Sequence, residues 1–284
     1  MRSLRKSIYK SPAQLRLMIE PGLATAASLD AVEALVKPGV TTLELDAAAE
    51  AAIEARGLKP NFKLEHGYFH TICASVNDEV VHGIPGAAVI AAGDIVSIDS
   101  GAISAQGWNG DAARSFVVDG SAGEESSASA DDVAARRELN RVTEQSLWRG
   151  IAQLYTAKHL NEVGAAIEEY IESQGDYGIL TDYIGHGIGR SMHEDPPVFN
   201  YAVRQRGPEV RPGLVVAIEP MVTLGGADTY VRDDGWTVVT EDGSAAAHWE
   251  HSVAVHKDGI WVLTAADGGA AGLAPFGITP TPIA

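Results

Sequence analysis

Asp99 closes the run Ile95-Val96-Ser97-Ile98, and Glu219 closes Val215-Val216-Ala217-Ile218. Both runs read as buried strands, where a carboxylate is costly to bury alone. Asp111 and Glu250 also sit in or beside strand-like runs. Side chains alternate along a strand, so Ser97 shares a face with Asp99, Ala217 with Glu219, and Ser252 and Ala254 with Glu250. These small neighbours leave room around each carboxylate. One such carboxylate would be read as an acceptor of backbone N–H groups or the partner of an Arg. Four of them, with His186 among glycines in Gly185-His186-Gly187-Ile188-Gly189, point instead to metal. Converging like charges disfavour each other's ionisation, and two divalent cations would cancel the charge of four carboxylates. An oxygen-rich set with one imidazole suits Mn, Fe(II), Co or Zn without choosing among them. His82 and His193 are flanked by turn formers. Alone, each would be a loop histidine bonded to backbone; beside a metal site, each is a candidate for orienting a substrate amide.

The elements that must position these residues can be read from caps and periodicity. Ser11-Pro12-Ala13-Gln14 has the signature of a helix start, with Ser11 as cap and Gln14 reaching back. Pro21-Gly22 predicts a kink or short break. Thr41-Thr42-Leu43-Glu44 repeats the cap signature and opens a helix that runs to Gly57. Short strands and turns are expected over 70–118. Residues 119–132 are polar and small and read as a mobile surface connection. Helices follow at about 133–155 and 160–174, then strands near 214–219, 236–240 and 248–255. The tail after 266 is rich in Gly, Ala and Pro and is expected to pack little.

The two halves, about 12–118 and 133–265, resemble each other. Asp46 to Gly57 parallels Gly164 to Gly175, His82-Gly83-Ile84 parallels His186-Gly187-Ile188, and the run from Gly93 to Asp99 parallels that from Gly213 to Glu219. The shared order is helix, His-Gly-Ile, then a strand ending in a carboxylate. Three matches in one order suggest a duplicated α+β unit, which places ligands on both sides of a central site within a single domain, 1–284.

Composition narrows the classes. The formal charge of −17, from 21 basic and 38 acidic residues, argues against a nucleic-acid partner. The single cysteine, Cys73, allows no internal disulfide and fits a reducing compartment. Arg2, Arg5 and Lys6 are followed by no apolar run of the signal-peptide kind, and no stretch approaches the ~20 apolar residues that span a bilayer. A cytoplasmic chain with no membrane partner is expected.

Several blocks resemble type I methionine aminopeptidases, over about Ser11 to Leu263. They are Ala74-Ser75-Val76-Asn77-Asp78-Glu79-Val80-Val81-His82-Gly83-Ile84-Pro85, Gly185 to Gly189, Met192-His193-Glu194-Asp195-Pro196, Ala217-Ile218-Glu219-Pro220-Met221, Asp234-Gly235-Trp236-Thr237 and His248-Trp249-Glu250-His251. The resemblance implies a pita-bread α+β fold with pseudo-twofold symmetry around a dinuclear metal site. It implies ligation by Asp99, Asp111, His186, Glu219 and Glu250, with Asp111 and Glu250 bridging. It implies that Glu219 also handles the proton of the attacking water, and that His82 and His193 contact the scissile amide and its carbonyl. Tyr68, Cys73, Met192 and Trp236 fall where the family lines its methionine pocket. The implied partners are the N-termini of nascent polypeptides, with transient ribosome association and a monomeric chain. Four positions depart from the family pattern: Asn109 for a His, Glu65 for an aromatic residue, Phe69 for a proline and Met192 for an aromatic residue common in bacterial members. None is a metal ligand.

Two other readings are open. A proline-specific peptidase of the same fold usually carries an additional N-terminal domain, which a helix starting near residue 11 does not allow. A pita-bread protein kept only for binding partners would be expected to have lost ligands, and all five are present.

Overall fold

The computed structural model describes residues 7–120, 126 and 128–284. Ser11 caps α1 (Pro12–Leu17) with a complete capping box to Gln14. The chain breaks at Met18 and re-enters a helix as α2 (Ile19–Glu33). The break falls three residues before the expected site at Pro21. Proline lacks an N–H, and the first turn of a helix does not need that donor, so Pro21 sits inside the first turn of α2. Thr41 caps α3 (Thr42–Ala55) with a second capping box to Glu44, and Gly57 follows with φ 74°.

The first sheet is built around β4 (Ile95–Ile103). The strand β5 (Asn109–Val117) pairs antiparallel along its whole length, while β1 (Lys59–Pro60) and β2 (Ile72–Val76) share its other edge. One core joins Leu29 and Val32 of α2 and Leu45 and Ala49 of α3 to Val96, Ile98 and Ala112 of the sheet. Helix α2 lies so close to β5 that a Cβ on Gly110 would stand 2.7 Å from the Gly22 nitrogen, and one on Gly22 would stand 2.4 Å from the Leu263 carbonyl oxygen. The hairpin strand β3 (Glu79–Val81) follows β2 through a tight turn in which Asn77 adopts φ 58°.

The second helix pair is α4 (Ala130–Thr156) and α5 (Asn161–Gln174). Helix α4 starts earlier than the sequence suggests, because Ser129 and Asp132 form a capping box out of residues that read as linker. Residues 121–125 and 127 of the expected mobile connection lie outside the described residues. Ser126 donates from Oγ to the Ala92 carbonyl at 3.0 Å.

The remaining strands build three sheets. β6 (Gly178–Ile179) pairs β10 (Met221–Thr223), which pairs β13 (Ala246–His248); β11 (Thr229–Val231) pairs β12 (Val238–Thr240), which pairs β3. The largest sheet runs β15 (Gly259–Val262), β14 (His251–His256), β9 (Val215–Ile218), β7 (Gly185–Gly187), β8 (Glu194–Val198), all antiparallel. Ile151, Leu154, Val163 and Ile167 of the helices pack on Val216, Ile218, Val253 and Val255 of this sheet.

The two sheets meet in the middle of the molecule. Glu250 and Ala113 exchange backbone bonds, Glu250 N donating at 2.9 Å and Ala113 N at 3.3 Å. Ser252 Oγ donates to the Asp111 carbonyl at 2.7 Å.

The C-terminal segment packs well, contrary to the loose tail expected. Helix α6 (Ala270–Leu273) buries Leu273 in the second core. Gly272 and Gly268 lie flat against the indoles of Trp148 and Trp261, and Thr281 N donates to the Ile260 carbonyl at 3.1 Å. The small residues that read as slack are the ones that admit the indoles. Among the described residues, no helix is long and apolar enough to cross a membrane.

Candidate metal centre and substrate cavity

The register of the strands brings the carboxylates together. Asp99 on β4 faces Ala113, and Asp111 on β5 faces Gly101, so the two acids lie diagonally on one face of the hairpin. Gly101 presents no side chain there. On the second sheet, His186 of β7 faces Ala217, which also faces Ser252 of β14. Glu219 lies two residues beyond Ala217 and Glu250 two before Ser252. Alternation therefore puts His186, Glu219 and Glu250 on one face.

The geometry is that of a ligand set. His186 Nε2 lies 3.4 Å from Glu219 Oε1 and 4.0 Å from Asp111 Oδ2. Its Nδ1 lies 3.0 Å from the Gly187 carbonyl oxygen. A carbonyl only accepts, so Nδ1 carries the proton and Nε2 turns its lone pair to the carboxylates. Asp111, His186 and Glu250 each offer an atom within 4.8 Å of the others. Glycines flank His186 because the backbone runs too close for anything larger: a Cβ on Gly185 would meet the Ala217 oxygen at 2.4 Å, and one on Gly187 the Asp195 oxygen at 2.2 Å.

Burial pushes the Asp99 carboxyl up to about 7. Burial, and after it the neighbouring acidic charges, push Asp111, Glu219 and Glu250 well above the usual carboxylate range. Asp99 Oδ1, Asp111 Oδ1 and Glu250 Oε1 are buried without a hydrogen-bond partner, and among the described residues no Lys or Arg lines the cavity. Four acids, an imidazole lone pair and orphaned oxygens form a donor set that fits divalent cations. Burial lowers His186 to about 4, which keeps it neutral and able to ligate.

All eleven residues singled out in the sequence line one cavity of about 230 Å³. At one end stand Asp99, Asp111, His186, Glu219 and Glu250. At the other, Phe62, Tyr68 and Cys73 form a small apolar cluster with Met192 and Trp236. The Tyr68 ring meets Trp236 edge-on at 5.0 Å and anchors its hydroxyl on the Ile72 carbonyl at 2.7 Å. Cys73 faces Asp99 across β2 and β4, and burial pushes its thiol up.

His82 and His193 stand between the two ends. His82 adopts φ 60°, a left-handed conformation that costs free energy in a non-glycine residue. Its ring lies edge-on to Tyr183 at 5.7 Å and to Trp236 at 6.4 Å, and burial lowers its pKa to about 4. The His193 ring stands 4.5 Å from that of His186. Burial lowers its pKa too, and the Glu65 carboxylate opposes that shift.

The cavity wall also includes Phe62, Val81, Tyr183, Ile184, Met221 and His248, which sequence reasoning passed over. His248 was legible. It stands two residues before Glu250, and its buried Nε2 lies 3.9 Å from Glu219 Oε2 without a hydrogen-bond partner. Tyr183 sits in a turn with no periodicity, so nothing in the sequence marks it.

This arrangement fits a metallohydrolase of the pita-bread type, with candidate ligands contributed by two sheets to one central cavity. The profile of metallopeptidase family M24 matches residues 16–257, and the chain belongs to that family. Methionine aminopeptidase 1 of Mycobacterium tuberculosis is 45% identical over 270 residues, covering 93% of this chain and 97% of the relative. The crystal structure of methionine aminopeptidase from Thermotoga maritima aligns with a TM-score of 0.82 at 38% identity, covering 90% of this chain and 98% of the other. A prolidase from Pyrococcus furiosus shares the fold with a TM-score of 0.66 at 22% identity; the alignment covers 91% of this chain but 65% of the prolidase.

Proposed function

We propose that this chain is a methionine aminopeptidase, a metal-dependent hydrolase that removes the N-terminal methionine from polypeptides. The observation that carries this reading is one cavity with a buried acid–imidazole cluster at one end and an apolar cluster at the other. The apolar cluster suits an unbranched thioether, since sulfur packs favourably against aromatic rings. As in the aminopeptidases it resembles, the chain is expected to prefer a small second residue.

Asp99, Asp111, His186, Glu219 and Glu250 would hold two divalent ions, drawn from Co, Mn, Fe(II) or Zn. When bound, such ions acidify water and stabilise the negative charge that develops on the substrate carbonyl oxygen. Glu219 takes the proton of the attacking water at its carboxylate and returns it to the leaving amine. His193 donates a hydrogen bond to the scissile carbonyl, and the bond strengthens as charge develops. His82 hydrogen-bonds the scissile amide. Tyr68, Cys73, Met192 and Trp236 hold the methionine side chain. The enzyme acts as a monomer in the cytoplasm on the N-termini of nascent polypeptides, with transient contact to the ribosome.

The test is release of free methionine from Met-Ala and Met-Gly peptides, beside an X-Pro substrate, with metal content measured on protein purified without added ions. Cleavage of X-Pro in preference to both methionine peptides would replace this reading with a proline-specific one.

A further inference from the structure

We propose that Glu65 selects substrates with a cationic side chain at the third residue, just beyond the small residue that follows methionine. The inference rests on the aminopeptidase reading above. Glu65 follows the 3-10 turn Phe62–Leu64 and lines the same cavity as the acid cluster while remaining exposed to solvent. It therefore stands at the mouth.

Two observations give it a function. Its side chain makes no hydrogen bond or ion pair among the described residues, so the carboxylate is free to meet a cation. The second is the charge of the lining. Among the described residues, the acids of the cavity wall are Glu65, Asp99, Asp111, Glu219 and Glu250, and no Lys or Arg accompanies them. Two divalent ions balance the four inner acids. Glu65 is then the one negative charge left on the wall. Its field reaches His193, on the side where the scissile carbonyl lies, so the charge faces the substrate path and not only bulk solvent.

The substrate supplies the complement. With the methionine side chain in the apolar cluster, the peptide must leave through the mouth. The second residue is short. The third Cα lies about 7 Å beyond the first in extended chain, so the third side chain is the first long one able to reach the rim. Lys or Arg there meets an unpaired carboxylate. Asp or Glu there meets repulsion. An exposed pair of this kind supports a preference of up to about fivefold over a neutral residue.

The experiment compares kcat/KM for Met-Ala-Lys, Met-Ala-Ala and Met-Ala-Glu, all as C-terminal amides, in the metal-loaded full chain. The expected result is Lys above Ala above Glu, with a Lys to Glu ratio of about fivefold or more at low salt that contracts in about 0.5 M salt. Glu65→Gln should bring the ratio close to one, and Glu65→Lys should invert it. Ratios taken within one enzyme cancel any general effect of the substitution on folding or metal loading. A wild-type ratio near one, or an equal ratio in Glu65→Gln, overturns the inference while methionine release stands. Failure to release methionine from any of the three overturns the aminopeptidase reading and this inference with it.

Discussion

Stripped of metal by a chelator, the protein should lose melting temperature as pH rises from about 7.5 to 9. The folded state holds Asp99 at about 7, against 3.8 for an ordinary aspartate. That shift alone amounts to about 4 kcal/mol once the group is fully ionised. Asp111, Glu219 and Glu250 are raised further by burial and by one another. The folded protein thus binds more protons than the unfolded chain, so stability falls as pH rises. Histidines act in the opposite direction. Burial lowers His82 and His186 to about 4 and His248 and His251 to about 3. Their contribution is complete only above about 7.5, a unit above the unfolded value, where the unfolded chain is also neutral. Above that pH the acids act alone. One proton held only by the folded cluster across this window costs about 2 kcal/mol. At about 2.1 cal/mol/K per residue, 284 residues give an unfolding entropy of about 0.6 kcal/mol/K, so the melting temperature should drop by about 3 °C. The assay is calorimetry on stripped and reloaded protein at each pH, with metal content measured on both. Reloaded protein should melt higher, and its lead should widen with pH, because the ligands must be deprotonated to bind. A stripped protein whose melting temperature holds steady or rises over this window would refute the shared acidic cluster.

Glu219→Gln should be nearly inactive and bind metal weakly, because it loses the proton carrier and alters a ligand. His193→Ala should keep full metal content and a similar KM while kcat falls by on the order of 10²–10³; metal loss in His193→Ala would reverse that assignment. Asp46→Ala should lower stability by about 2–4 kcal/mol in urea unfolding, because the carboxylate accepts from the backbone N–H groups of both Thr71 and Ile72 at the start of β2. Gly110→Ala should cost about 1–3 kcal/mol, since its Cβ would strike the backbone of α2; an unchanged urea midpoint would mean that the helix moves away freely.

The sequence carried the parts of the fold that local chemistry decides. Both capping boxes are written in four residues each, and Ser11 and Thr41 start their helices where those residues say. The burial of Asp99 and Glu219 in one cavity was legible, because a carboxylate after four strand residues violates burial rules unless something balances it. What failed were features decided by distant partners. Ser129 to Asp132 is as good a cap as the others, but it lies in a polar run that composition marks as linker. Gly268 and Gly272 look slack until Trp261 and Trp148 are placed against them. Met18 takes the break assigned to Pro21, because proline tolerates a first turn. His248 ends β13 two residues before Glu250, and that spacing was its one mark in the sequence. Tyr183 reaches His82 from the loop between β6 and β7, a relation that no local pattern encodes.

The pairing of Ala113 with Glu250 and of Ser252 with Asp111 joins residues up to 141 positions apart in the chain. During synthesis, a nascent chain that has emerged only through β5 exposes Asp99 and Asp111 with neither His186 nor the later acids to complete the cage. If the five residues of the cavity hold the metal, its capture waits for almost the entire polypeptide. A product terminated before Glu250 would keep Asp99 and Asp111 without their partners, so truncation would yield an inert fragment rather than an unregulated peptidase.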